Sequence, residues 1–403
     1  MQIRTPWATL GEIARVFLKL GVVGFGGPAA HIALFEAEAV NRRRWLTPQR
    51  FLDLLGATNL IPGPNSTEMA MHVGFARGGW PGLVTAGVCF IGPAVALTGL
   101  LAWIYVQFGT LPTLAPLFEG IKPAVLAIIG GALWRLGRRA ASSRKLLLLA
   151  LGVIPLLVFG LGEVVALLIG GVVGALWLRL GRPQEPDRAA QLLVAGLNLG
   201  AASTGGTAIA TATVTMTATV TPPLWHLGLV FLKIGAVLFG SGYVLIAFVE
   251  GEVVGRGWLT QAQLLEAIAI GQFTPGPVLS TATFIGYLIA GWPGALVATV
   301  GIFLPSFGLV ALVNPWIPRL RQSAWTAAFL DAVNVSAVAL MAVVTVRLGW
   351  LTLGQPVDGV AIALALLALI ALVYLRLSPA WIVMGSAVLG WLAAVLLGWQ
   401  PSL

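Results

Sequence analysis

Charge is scarce in this chain. Lys, Arg, Asp and Glu make up 9% of it, against 58% hydrophobic residues, whereas soluble proteins carry roughly 25% charged residues. So few charges cannot cover the surface of a soluble fold of 403 residues, and that class is excluded. Cysteine is limited to Cys89, which rules out an intrachain disulfide or a cysteine metal site. Histidine is limited to His31, His72 and His226, without metal-ligand spacing. No Gly-rich phosphate loop ending in Lys-Ser/Thr occurs, so ATP hydrolysis within the chain is not expected. Flavin, haem and metal motifs are also missing, so neither a cofactor nor an enzymatic reaction is expected. Glu12, Arg15 and Lys19 interrupt the apolar run that a cleavable signal needs. The first membrane element is therefore expected to be retained.

What is present fits a lipid environment. Mean hydropathy is +0.95. Gly 50 and Pro 24 are tolerated beside such hydrophobicity in membrane helices, where neighbours re-satisfy the freed backbone groups. The net charge of +9 does not come as a basic tract interleaved with aromatics, so nucleic acid is not an expected partner. The arginines fall in short clusters: Arg42–Arg44; Arg135, Arg138, Arg139, Arg144 and Lys145; and Arg179, Arg182 and Arg188. Positive-inside loops have this form. A spanning helix needs about 20 apolar residues. Candidates are 81–108, 116–136, 146–160 and 162–179, then 292–313, 324–346, 359–375 and 379–397. Residues 10–40 and 48–78 are apolar but broken, at Gly24-Phe25-Gly26-Gly27-Pro28 and at Pro62-Gly63-Pro64, and 224–254 and 261–290 repeat that pattern.

The repeat is an ordered series. At an offset of 214, Phe17-Leu18-Lys19 meets Phe231-Leu232-Lys233, Phe25-Gly26 meets Phe239-Gly240, and Glu36 and Glu38 meet Glu250 and Glu252. One deletion later, Trp45-Leu46-Thr47 meets Trp258-Leu259-Thr260 and Pro62-Gly63-Pro64 meets Pro275-Gly276-Pro277. After a second deletion an offset of 212 carries Gly79-Trp80-Pro81-Gly82 onto Gly291-Trp292-Pro293-Gly294, Pro93 onto Pro305, and Arg135 onto Arg347. Such a series means duplication. The expected organisation is a membrane repeat at 1–182, a linker or extra transmembrane segment at 183–223, and a second repeat at 224–403. Positive-inside counting favours inverted halves, with 48–78 re-entrant and 189–216 crossing once.

Gly/Pro-interrupted segments at matching places of duplicated membrane folds point to a transport site. Broken backbone survives in lipid only where it lines a cavity or binds something. The second proline of Pro-Gly-Pro suits the first position of a new helix. The amides of Asn65, Ser66 and Thr67, and in the second copy those of Val278, Leu279, Ser280 and Thr281, would then leave a positive dipole end for an anion. Gly26-Gly27-Pro28 and Gly240-Ser241-Gly242 would let a second backbone approach, and Gln272 adds a polar contact. Packing glycines and helix kinks are the alternative. Lys19 and Lys233 sit in apolar stretches, either to neutralise a divalent oxyanion or to snorkel to the interface. Glu36 and Glu250 are candidates for proton coupling or gating, or else helix-end carboxylates answering nearby arginines. Glu68 and His72 share a helical face, but the second copy has Thr281 and Ile285 there.

Phe25-Gly26-Gly27-Pro28-Ala29-Ala30-His31 and the run Ala57 to Glu68 resemble the first-half signatures of the chromate ion transporter family. Gly240-Ser241-Gly242-Tyr243 and Gly271 to Pro277 resemble those of its second half. The resemblance covers nearly the whole chain. It implies a bacterial inner-membrane secondary transporter that exports chromate using the proton motive force, confers chromate resistance, and has halves of opposite topology. The expectation is thus an all-α polytopic membrane protein of two homologous, inverted-topology halves with broken or re-entrant helices. Chromate would lie among Pro62, Gly63, Pro64, Asn65 and Ser66, and among Pro275, Gly276, Pro277 and Ser280. Lys19 and Lys233 would be the counter-charges. Sulfate or another tetrahedral oxyanion, or an uncoupled anion channel, are the rival readings. A homodimer is one option for its assembly.

Overall fold

A computed structural model describes residues 6–109, 111, 114–140, 143–179, 221–239, 242–314, 323–353 and 358–399. Among these there are fourteen α-helices and no strand. The first half holds α1 (Pro6–Val23), α2 (Pro28–Glu36), α3 (Pro48–Thr58), α4 (Asn65–Phe108), α5 (Ala115–Ala140), α6 (Arg144–Val158) and α7 (Glu163–Arg179). The second repeats the order as α8 (Leu224–Val237), α9 (Leu245–Val249), α10 (Gln261–Phe273), α11 (Thr281–Val313), α12 (Ala324–Leu353), α13 (Gly359–Val373) and α14 (Pro379–Leu397). Five helices, α4, α5, α11, α12 and α14, contain a stretch long and apolar enough to cross a membrane. The segment 183–223, with its expected crossing at 189–216, lies outside the described residues except for its last three.

Local chemistry repeats with the sequence. Thr47 caps α3 through the Arg50 amide, and Thr260 caps α10 through the Gln263 amide. Each short second helix passes into a π-turn, Ala37–Arg42 and Glu250–Val254. The π-turns deliver Glu38 to Arg42 and Arg43, and Glu252 to Lys233 and Arg256. Helix α4 doubles back at Gly79 (φ 62, ψ −149) and α11 at Gly291 (φ 60, ψ −152). Both are conformations that only glycine adopts readily. The folded-back arms touch through small residues: a Cβ on Gly74 would meet the Gly82 carbonyl, and one on Gly286 the Gly294 carbonyl.

The doubling back makes residues 48–78 a re-entrant hairpin, as the sequence indicates, with Pro62-Gly63-Pro64 at its tip. Residues 10–40 form a second one. Helix α1 starts beside Gly78, breaks at residues 24–27, and α2 brings Arg43 back to Glu12 and Arg77 near that start. The tips reach mid-depth. A Cβ on Gly276 would lie 3.1 Å from Ala94 Cβ, midway along the 80–108 arm of α4. That arm, at about 1.5 Å per residue, is roughly 43 Å long, enough to cross a core of about 30 Å.

The halves are inverted and interlocked. Gly87 meets Phe307 while Gly99 meets Trp292, so the equivalent helices α4 and α11 pack antiparallel. A two-fold relation between antiparallel spanning helices lies in the membrane plane. Helix α5 packs on α13 and α14, and α12 packs on α6 and α7. The breaks are joined by a reciprocal pair of backbone hydrogen bonds, each 2.7 Å: the Gly63 amide donates to Leu238 O, and the Gly276 amide donates to Gly24 O. Gly24 and Leu238 are themselves equivalent at the 214 offset.

Candidate functional site

The two Pro-Gly-Pro turns form because glycine alone takes the required backbone, φ 141 at Gly63 and 92 at Gly276. Pro64 caps α4 and Pro277 caps the 3-10 turn Val278–Ser280, so each proline sits one place before the first helical position. Gly26 and Gly27 also have positive φ, 103 and 80. Gly240 and Ser241 lie outside the described residues.

A cavity of about 510 Å³ stands between the first-half break and the helices of the second half. Its walls are Gly26–Ala29, the α5 residues Ala132, Arg135 and Leu136, Tyr243, and the α13–α14 connection with Arg376. Arg135 and Arg376 are exposed, and neither forms an ion pair among the described residues. Arg135 approaches the Tyr243 hydroxyl. A narrower recess of about 40 Å³ shares Gly26, Gly27 and Tyr243 and continues to Gln272, Thr274, Gly276, Val278 and Ser378. A space of about 10–15 Å³ admits one water, so the recess holds a few. Tyr243 donates to Gln272 Oε1 at 3.3 Å, while the buried Gln272 Nε2 has no acceptor among the described residues. A path lined by two arginines thus ends on a free N–H donor and a helix N-terminus.

The remaining residues singled out from the sequence divide between these turns and other surroundings. Ser280 is buried and accepts from Thr98, which also donates to Thr274, both at 3.3 Å. Gly242 lines a small apolar pocket with Gln272. Asn65 donates to Asn59 at 3.0 Å, and Ser66 is buried. Lys233 bonds Glu252, and Lys19 is exposed on α1 beside Leu18. Glu250 is 4% exposed and pairs with Arg347 at 2.9 Å, whereas its equivalent Glu36 is exposed. Arg376 was not singled out; it lies in a loop and has no counterpart in the repeat pattern to draw attention to it.

Antiparallel repeats, re-entrant tips meeting at mid-depth and a polar cavity ending on them define a polytopic membrane transporter. A sequence model described as "Chromate transporter" matches residues 11–175 and 225–391, one match per half. The chain is 32% identical to a chromate transport protein of Cupriavidus metallidurans, over 97% of this chain and 95% of that one. It is 34% identical to a chromate transport protein of Pseudomonas aeruginosa, over 93% and 90%. An uncharacterized transporter of Methanocaldococcus jannaschii is 27% identical over 93% of this chain and 92% of its own. No solved structure matches the chain. The chain belongs to the chromate transporter family.

Proposed function

We propose that this protein exports chromate across the inner membrane as a secondary transporter and so confers resistance to it. The cavity carries the proposal: two exposed arginines without a carboxylate partner among the described residues lead to a helix N-terminus and the Gln272 amide. A tetrahedral dianion needs several N–H donors and positive charge, and this path supplies both. Relatives named chromate transport protein support chromate as the anion.

Orientation follows from the basic residues. Arg42–Arg44, Arg77, Arg135, Arg138, Arg144, Lys145, Arg179 and Arg376 fall on one face of the helix arrangement; Lys233, Arg256 and Arg347 fall towards the other. The positive-inside rule makes the first face cytoplasmic. The cavity mouth, between Arg135 and Arg376, then opens to the cytoplasm, where an exporter collects its cargo. A dianion leaving a negative interior gains about 4.6 kcal/mol per 100 mV, twice the single-charge value.

The repeats supply the gates. Arg347 holds Glu250, and α9 packs on α12. In the first half the equivalent pair is apart: Arg135 stands in the cavity that separates α2 from α5. Exchanging the two arrangements would bring Glu36 towards Arg135, release Glu250 from Arg347, and open the protein to the other face. A panel of chromate, sulfate and molybdate in proteoliposomes, with imposed voltage and pH gradients, tests this. Voltage-sensitive chromate flux that sulfate does not match is expected. Preference for sulfate, or flux indifferent to both gradients, contradicts it.

A further inference from the structure

The two Pro-Gly-Pro turns are alike in backbone and unlike in chemistry. Around the second, the hydroxyls satisfy one another: Thr98 bonds Thr274 and Ser280, and Thr281 donates to Val278 O at 2.8 Å. Around the first stand Thr67, Glu68, His72 and Ser306, all 0% exposed. Among the described residues, Thr67 Oγ1 and both His72 nitrogens have no hydrogen-bond partner, and the Glu68 carboxylate has only the Ser306 hydroxyl beside it. The Glu68 carboxylate and the Ser306 hydroxyl crowd the space that a Gly63 Cβ would need. Their equivalents carry no titratable group: Thr281 for Glu68, Ile285 for His72 and Ala94 for Ser306.

Among the described residues, the groups around Glu68 offer it no counter-charge. On α4 itself the neighbour is His72. From α3, Arg50 acts on His72. From α2, His31 is bonded to Gly24 O at 3.0 Å. From α11 comes the uncharged Ser306. Glu12 of α1 is engaged with Arg43 and with Arg77, nine residues further along α4. Just past the end of α8, Leu238 contributes only a carbonyl, already taken by Gly63. An ionised carboxylate with no cation or N–H donor in a dry interior is strongly disfavoured, and such a group takes up a proton instead.

We propose that Glu68, with His72 beside it and Ser306 opposite, is an exchangeable proton site that sets which face the transporter opens to. This deepens the transport reading and rests on it. Duplication has left the second turn to the oxyanion and converted the first into a proton switch. The protonated carboxyl fits the arrangement described, where the first-half turn is buried and the cavity is cytoplasmic. Loss of the proton to water leaves a carboxylate that must be hydrated, which favours the exchanged arrangement. One proton leaves the carboxyl oxygen and one returns to it in each cycle. A ligand shifts a conformational equilibrium only through differential binding to the two states, and here the ligand is the proton.

The test needs no chromate, so its failure is distinct from failure of the substrate reading. Spin labels at Ala29→Cys and Gly137→Cys, in a Cys89→Ser background of the full chain, report the width of the cavity mouth. Raising pH should convert open-mouth to closed-mouth molecules by up to about tenfold per pH unit for one proton. Glu68→Gln should hold the mouth open at every pH. A pH response that is absent, or unchanged in Glu68→Gln, overturns the proposal. Infrared spectroscopy is the second arm, should Glu68→Gln fail to insert. A protonated-carboxyl band that shifts in Glu68→Asp is expected, and a band indifferent to Glu68→Asp overturns the assignment.

Discussion

The turn at Gly276 is the sharpest place to test whether backbone geometry carries transport. Its φ is 92 and a Cβ there would stand 3.1 Å from Ala94 Cβ. Alanine therefore meets two penalties: backbone strain of about 1–3 kcal/mol and overpacking of about 1–3 kcal/mol. If the turn moves to relieve them, it also gives up the amide bond to Gly24 O, 2.7 Å long, worth roughly 0.5–1.5 kcal/mol. The native tip is then disfavoured by at least about 2 kcal/mol, more than a tenfold change in its population, since about 1.4 kcal/mol is tenfold. Initial chromate flux in proteoliposomes, normalised to inserted protein, should fall tenfold or more in Gly276→Ala. The control is Gly92→Ala, where, its own helix backbone aside, no heavy atom of the described residues stands within 4 Å of the added Cβ, and it should keep wild-type flux. Adding Ala94→Gly to Gly276→Ala removes the side-chain contact but leaves the strain, so it should recover part of the loss. Flux in Gly276→Ala within about twofold of wild type would refute the geometric role of the turn.

Other outcomes follow from charge. Arg135→Gln and Arg376→Gln should each raise the KM for chromate several-fold with little change in kcat. Both side chains are exposed, so each interaction is worth about 1 kcal/mol or less; an unchanged KM in the double variant removes them from the path. Arg347→Gln leaves Glu250 buried without its cation. Since Arg347 is 64% exposed and Glu250 only 4%, the cost is about 1–3 kcal/mol, below that of a fully buried pair. The same spin-label pair at Ala29→Cys and Gly137→Cys should then report a narrower cytoplasmic mouth, and an unaltered width argues against the gate. Arg42→Cys and Arg256→Cys, in a Cys89→Ser background, should react with an impermeant maleimide from opposite faces; labelling from one face excludes inversion.

Much of this fold was legible because duplication writes it twice. The offset series paired Gly79 with Gly291 and Gly63 with Gly276, and those glycines make the kinks and tips. The apolar runs gave the helices to within a few residues, as with 359–375 against Gly359–Val373, although only five of the eight reach the length and hydropathy of a membrane crossing, and that helix is not one of them. The second re-entrant hairpin, α1 with α2, was visible only as a broken run, because a break does not say whether the chain turns back. The bonds joining Gly63 to Leu238 and Gly276 to Gly24 unite residues far apart in sequence, and no local pattern encodes them. Lys19 and Lys233 drew attention as charges in apolar stretches, yet a charge does not reveal its partner, and Lys233 meets Glu252. The pair Glu68 and His72 carried less weight because the second copy lacks it. That difference was the signal: where two copies agree they preserve the scaffold, and where they part at the same turn the chemistry has diverged.

The most direct test of a cytoplasm-open oxyanion path uses one thiol at its wall. Ala29 is exposed and lines the cavity. In a Cys89→Ser background, Ala29→Cys is modified with a bulky, membrane-impermeant reagent from one face or the other. The reagent is washed away, and chromate flux is then measured in oriented vesicles. Modification from the arginine-rich cytoplasmic face should abolish flux, and the same reagent on the opposite face should leave it intact. Full flux after complete cytoplasmic labelling, or block from the opposite face alone, would contradict the account.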